Sequence, residues 1–263
     1  MSSVVSVAGS FLAANISVGL HPEVKTFFGT LDADTLWGTG AAVVVVVLLA
    51  LAVRKTATAG VPGKFQLVWE MAVEAIRKQV QGSTDTTVPL SPVVPLAVSL
   101  FLFILIANWF SVFGLGSTYE WLSPPTGDIN LPLALAIIVI VPVHIASIVK
   151  RGPIGYVRHY VAQPFPIFLF PLNIFMNGVE EIAKPLTLAL RLFGNMLSGG
   201  LMLALIASLA AWNLVHVPIG YVFTLALNPV WKGFDLGIGA IQAFIFTLLM
   251  ILYFDTATRT EGH

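Results

Sequence analysis

Hydrophobic residues run along this chain in blocks long enough to cross a bilayer, and most charged residues fall between the blocks. The first block is Leu36–Val53, whose run AAVVVVVLLALAV is closed by Arg54 and Lys55. A valine run can also be a buried strand. The length of this one, against a hydrocarbon layer about 30 Å thick, and its basic stop predict a membrane helix over 36–53. The next block, GKFQLVWEMAVEAIRKQV, has a different pattern. Phe65, Leu67, Val68, Met71, Ala72, Ala75 and Ile76 recur at helical spacing, while Glu70, Glu74, Arg77 and Lys78 take the other face. An amphipathic helix is predicted over 63–80, on the membrane surface or against a partner.

A helical hairpin over 93–149 follows, with spans Val93–Leu115 and Leu131–Val149. Its connector, GSTYEWLSPPTGDIN, carries Glu120 and Asp128 and no basic residue. The stretch QPFPIFLFPLNIF is apolar but holds Pro164, Pro166 and Pro171, so residues 164–178 are expected to be interfacial or broken. Two long apolar segments, 179–212 and 234–254, close the chain, joined by the partly apolar linker NLVHVPIGYVFTLALNPVWKG. The expected architecture is one all-α integral membrane domain of about five transmembrane helices plus an amphipathic surface helix. Residues 1–35 form an external N-terminal segment. That segment has no Lys or Arg before Lys25, so it lacks the basic start of a signal peptide and is expected to be retained.

Basic residues set the orientation. Arg54, Lys55, Lys64, Arg77 and Lys78 lie between the first two spans, and Lys150, Arg151 and Arg158 lie between the third and fourth. The N-terminus is therefore expected outside and the C-terminus, with Arg259, in the cytoplasm of a cell with a bacterial-type plasma membrane. Composition agrees with a bilayer: 57% of the 263 residues are hydrophobic and 10% charged, against about 25% charged in soluble domains. Zero net charge offers no field for nucleic acid. The lack of cysteine removes disulfide, thiol and cysteine–metal chemistry. His21, His144, His159, His216 and His263 are scattered, with no metal-binding spacing, and no cofactor is expected.

One charge lies where it is expensive. Between Pro185 and Trp212 the only ionisable side chain is Arg191, and an arginine at the centre of a membrane helix costs at least roughly 2.5–3.5 kcal/mol. On a helix Arg191, Asn195 and Ser198 share one face, with Gly194 on the same stripe and Ala204, Ala207, Ser208 and Ala211 continuing a small-residue surface. The last segment has a matching stripe of Asp235, Gly239 and Gln242, so the two could pack with Arg191 and Gln242 at similar depth. Plainer readings stand beside these. Arg191 could be a static packing charge, Asn195 and Gln242 could glue helices, and Ser198 and Ser208 could bond their own helix backbone. Glu180 and Glu181 are either solvated acids near a helix start or part of an ion exit, and Asp235 has the same two readings.

Arginine does not relay protons, since its pKa lies above about 12. Its use is electrostatic: a fixed cation in low dielectric drives a carboxylic acid brought beside it to give up its proton, and it blocks direct proton passage. No spare acid of this chain sits at mid-depth, so the carboxyl must come from a partner.

KPLTLALRLFGNMLSGG, PPTGDINLPLALA and IQAFIFTLLMILYF, with LHPEV near the N-terminus, resemble signature stretches of the subunit a family of F-type ATP synthases, and the likeness spreads over most of the chain. The resemblance implies a stator against which a ring of c subunits rotates, with b-type peripheral stalk subunits, other ATP synthase subunits and membrane lipid as further partners. It implies proton entry by one half-channel and exit by another, and no catalytic role for this chain alone. Arg191 matches the essential arginine of the family, Asn195 and Gln242 match polar residues lining the paths, and Asn108 matches a polar position on the hairpin. The family fold also implies that the last two long helices form a tilted hairpin against the ring, which no periodicity here gives. Some positions depart from the family pattern. Gly200 stands where many members have Glu, nine residues after the arginine, and Asp235 stands where many have His. The Asp235 carboxyl is a titratable replacement at the inlet, with His216 or water. Asn177 replaces a frequent acid, which leaves an outlet role to Glu180 or Glu181. The competing reading is a stand-alone transporter or channel with Arg191 binding an anionic substrate. An embedded enzyme lacks any paired-carboxylate, Ser/His or metal constellation in the spans.

Overall fold

The computed structural model describes residues 23–26, 29–58, 63–83, 90–110, 124–162, 165, 167–209 and 219–258. Among these, the strands are confined to one short hairpin, β1 (Glu23–Thr26) antiparallel to β2 (Gly29–Asp32), with Glu23 opposite Asp32. The remainder is mainly helical: α1 (Ala33–Thr56), α2 (Lys64–Ser83), α3 (Leu90–Trp109), α4 (Asn130–Ala162), α5 (Phe170–Ser208) and α6 (Ile219–Thr258). Short 3-10 turns at Pro125–Gly127 and Ile167–Leu169 precede α4 and α5.

Four helices, α1, α4, α5 and α6, are long and apolar enough to cross a membrane. The remaining expected span is a shorter apolar helix, Val93–Trp109. Residues 111–115 of that expectation, Glu120 and His216 lie outside the described residues.

Two boundaries correct the sequence pattern. Helix α5 begins at Phe170, so nine of the fifteen residues in the stretch 164–178, expected to be interfacial or broken, are helical. Pro171 falls in the first turn, where its missing N–H is one of the donors that would be unsatisfied anyway. Helix α6 begins at Ile219, so most of the expected linker is helix, and Pro229 lies inside it. An unpaired backbone group in hydrocarbon costs several kcal/mol, which favours continuing a helix through a proline over opening a loop there. The resulting helices have 39 and 40 residues. At about 1.5 Å per residue each is roughly twice as long as the hydrocarbon core is thick, so each must run oblique to the membrane normal or project beyond it.

Lipid is as apolar as leucine, so packing here depends on close fit between helices more than on escape from solvent. Small residues make that fit: Ala42, Ala97, Ala107, Ala136 and Ala243 are fully buried. Around them α3, α4, α5 and α6 pack a shared core that includes Ile104, Val139, Leu188, Leu192 and Phe246. The amphipathic α2 joins it through Ile76 and Val80, while Leu67 and Met71 stay exposed.

Helix α4 contains a break at Gly152, whose φ of 73° and ψ of 162° suit glycine alone. Pro153 follows it and starts the second arm. The break redirects the chain so that the arm carrying Tyr156 and Tyr160 faces α5. We expect Gly152→Ala to destabilise the fold by about 1–3 kcal/mol, seen as a lower thermal-inactivation temperature of the detergent-solubilised assembly. An unchanged temperature would mean that the break is not strained.

Candidate functional site

Helices α5 and α6 form an antiparallel pair whose register is fixed by polar contacts. Thr224 donates to the Ile206 carbonyl (3.0 Å), and seven residues further along each helix Trp231 Nε1 donates to the Gly199 carbonyl (3.3 Å). Gly199 is there because Asp235 lies against it: a Cβ at that position would be 2.8 Å from Asp235 Oδ1. Extending this register by two further turns brings Arg191 level with the turn of α6 from Gly239 to Ala243, which carries Gln242.

Helix α3 closes the other side of the α6 stripe. Asn108 is buried, donates from Nδ2 to the Gly239 carbonyl (3.2 Å), and accepts at Oδ1 from the Thr126 hydroxyl (2.8 Å). Trp109 Nε1 donates to the Leu236 carbonyl (3.3 Å). Gly239 permits this approach, since a Cβ there would be 3.0 Å from that of Asn108. Asp235 and Gln242 are both buried on this stripe. The side-chain amides of Gln242 and Asn195 each bury a nitrogen that reaches no acceptor among the described residues. Ser198 is exposed and donates to the Asn195 carbonyl (2.9 Å), and Ser208 donates to that of Leu205 (2.7 Å). The hydroxyl protons of both serines are thus used by their own helix, as the plainer reading has it.

Arg191 is exposed. Among the described residues no carboxylate lies within ion-pair distance of it. Its neighbours along the open face are Leu190, Leu197, Leu201 and Leu205, and α6 adds exposed Phe234, Ile241 and Phe244. Among the described residues, a cation without an ion-pair partner thus stands beside exposed apolar side chains.

On the other side of Arg191, toward the end that carries Lys150 and Arg151, a second polar cluster forms around Glu181. Its Oε1 accepts from the Tyr160 hydroxyl (2.8 Å) and from Lys184 Nζ (3.0 Å), and its Oε2 pairs with His144 Nε2 (3.2 Å). Glu180 is more exposed and pairs with Lys184 (3.0 Å). Ten residues, or about 15 Å of helix, separate Glu181 from Arg191. The predicted residues therefore fall into two groups: Asn108, Asn195, Ser198, Asp235 and Gln242 lie level with Arg191 or beyond it, and Glu180 and Glu181 lie on its opposite side.

Sequence reasoning passed over His144, Tyr160 and Lys184. His144 had a usable signal, since an ionisable group within a predicted span marks a functional position by default. The contacts of Tyr160 had none, because they depend on the break at Gly152.

These features define a multi-pass membrane protein with a fixed cation on an open apolar face and polar groups on either side of it. The sequence profile of the ATP synthase A chain family matches residues 35–255, and the chain belongs to that family. ATP synthase subunit a of Acidothermus cellulolyticus is 47% identical over 253 residues, covering 96% of this chain and 86% of the relative. The subunit a of Mycobacterium leprae is 41% identical, covering 94% and 95%, and that of Coxiella burnetii is 34% identical, covering 89% and 88%.

Asn108 joins α3, α6 and the turn before α4, and an apolar replacement leaves a buried carbonyl and hydroxyl without their partner. We expect Asn108→Leu to cost about 1–3 kcal/mol, measured as lost heat stability of the solubilised assembly. Adding Thr126→Val should cost less than it does in the wild type, because the two side chains share one bond. Strict additivity would refute the shared bond.

Proposed function

We propose that this chain is the proton-translocating stator subunit of an F-type ATP synthase, non-catalytic by itself, coupling proton flow to ATP synthesis. Its open face, centred on Arg191, docks a rotating ring of c subunits, whose carboxyl supplies the acid that the described residues do not place beside the arginine. The b-type peripheral stalk subunits hold it still. Family membership supports the reading as a whole. The observation that carries the mechanism is the exposed Arg191, which has no ion-pair partner among the described residues.

The chemistry follows from charge in low dielectric. A protonated ring carboxyl is neutral and crosses lipid at little cost. Beside Arg191 its ionised form is stabilised, so the proton is released there. The proton leaves toward Glu181 and Glu180, at the end that the basic residues assign to the cytoplasm. The emptied carboxylate then takes a proton from the opposite half-path, where Asp235, Asn108, Asn195 and Gln242 line the approach. The Asp235 carboxyl is the titrating group of that inlet. Ser198 contributes an acceptor lone pair. Because Arg191 keeps its proton, no continuous relay joins the two halves. The protein sits in a plasma membrane with its N-terminus outside and its C-terminus in the cytoplasm. The stand-alone transporter reading is not favoured, since the three relatives named above are subunits of ATP synthase.

Arg191→Ala in inverted membrane vesicles tests this reading. Coupled proton pumping should fall to background in an assembled complex, with passive leak unchanged or raised; normal coupled pumping would make Arg191 structural. Asp235→Asn keeps the shape but not the titration, and should lower coupled flux on the order of 10²-fold. Full activity in that variant would remove Asp235 from the path.

A further inference from the structure

The Glu181 cluster includes a histidine with no part in the reading above, and its geometry is that of a proton-holding site. His144 comes from α4 before the break and Tyr156 from the arm after it. The Tyr156 hydroxyl lies 3.1 Å from His144 Nδ1, and His144 Nε2 lies 3.2 Å from Glu181 Oε2. As a carboxylate, Glu181 can only accept, which makes Nε2 the donor and leaves Nδ1 to accept from Tyr156. Both ring nitrogens are thus held by groups that suit a neutral ring. The Tyr156 hydroxyl can also rotate to accept from Nδ1 when the ring gains a proton.

The ring borders a polar cavity of about 90 Å³ between α4, α5 and α6. One water needs roughly 10–15 Å³ by this measure, so the cavity has room for several. The charged and titratable groups around it come from all three helices. Helix α4 contributes Tyr156, His159 and Tyr160, and α5 contributes Glu180, Glu181 and Lys184. Helix α6 contributes Tyr253, and Arg151 closes the rim by donating to the Thr256 carbonyl (3.4 Å). His144 lines this cavity and is 28% exposed.

We infer that His144, held between Glu181 and Tyr156, is the group that takes the proton from the exit path and hands it to the medium. The inference rests on the rotary reading above. A proton arriving along cavity water binds Nδ1, and the Tyr156 hydroxyl turns from donor to acceptor. The imidazolium then donates from both nitrogens, to Glu181 and to Tyr156. Release reverses the step: Nδ1 loses the proton to external water and Tyr156 turns back. Imidazole is the side chain whose ordinary titration falls between about pH 5 and 8. Proton release slows when the medium keeps the ring charged. In this chain an acid–imidazole pair therefore stands at the basic end, whereas the inlet has Gly200 and Asp235 in place of one.

The test is ATP synthesis by the assembled holoenzyme in inverted vesicles, where the basic end faces the medium. Initial rates are measured against medium pH at fixed driving force, in imidazole and in a non-imidazole buffer. The wild type should show a falling limb toward acid. His144→Gln should lose that limb and run several-fold slower, and imidazole in the medium should restore most of the rate. An unchanged profile, or a loss that imidazole leaves in place, overturns the role. If His144→Gln fails to assemble, Tyr156→Phe keeps the ring and its Glu181 contact but removes the Nδ1 partner. A shifted limb then supports the proposal and an unmoved one overturns it. Arg191→Ala in the same vesicles separates the two readings. If it still makes ATP, the rotary reading itself fails. If it makes none while His144→Gln behaves as wild type, only the role of His144 fails.

Discussion

An arginine in hydrocarbon keeps its charge, and a membrane helix tolerates it only where something offsets the cost. In this protein Arg191 faces outward from α5 onto an apolar surface, with no carboxylate of the described residues in ion-pair reach. In the proposed function the compensation arrives with a partner, and it is useful only if the arginine is held at fixed depth. The packing of the last two helices provides that fixing. Their register is set by Thr224 on Ile206, Trp231 on Gly199 and the fit of Asp235 against Gly199. A one-residue slip would break all three contacts and would also turn Arg191 away from the level of Gln242.

The hairpin is in turn braced by α3. Asn108 uses both ends of its amide, one on the Gly239 carbonyl and one on Thr126, and Gly239 lets the two backbones approach closely. In lipid such polar contacts add specificity to packing that is otherwise driven by shape. The same residues that fix the helix spacing also form the polar lining beside Gln242, so the bracing and the proposed inlet share groups. That economy explains why the stripe of Asp235, Gly239 and Gln242 alternates polar and small side chains.

At the other end of the path, one backbone irregularity organises the chemistry. The break at Gly152 ends the first arm of α4 and sends the second across α5. It brings Tyr156 to His144, twelve residues earlier in the same helix, and Tyr160 to Glu181. A straight α4 would carry Tyr156 about 18 Å beyond His144 along the axis. The Glu181 cluster is thus a product of the break and of the α4–α5 contact together.

Several features were legible in the residues alone. The apolar blocks required membrane helices, because hydropathy and length are local properties that the bilayer reads directly. The isolated charge at Arg191 and the stripes Arg191–Asn195–Ser198 and Asp235–Gly239–Gln242 followed from the helical period, and the family followed from the motifs around them. Helix boundaries were less legible. Pro171 suggested a break and the stretch holding Pro229 read as a linker, but the first proline falls in a first turn and the second is carried inside α6, where an opened backbone would be costly. Tertiary structure alone decided the register of α5 on α6, the bridge from Asn108 to Gly239, and the meeting of His144 with Glu181 and Tyr156. Each depends on residues far apart in the chain or on a single positive φ, and periodicity along one helix carries no information about which partner its polar face will meet.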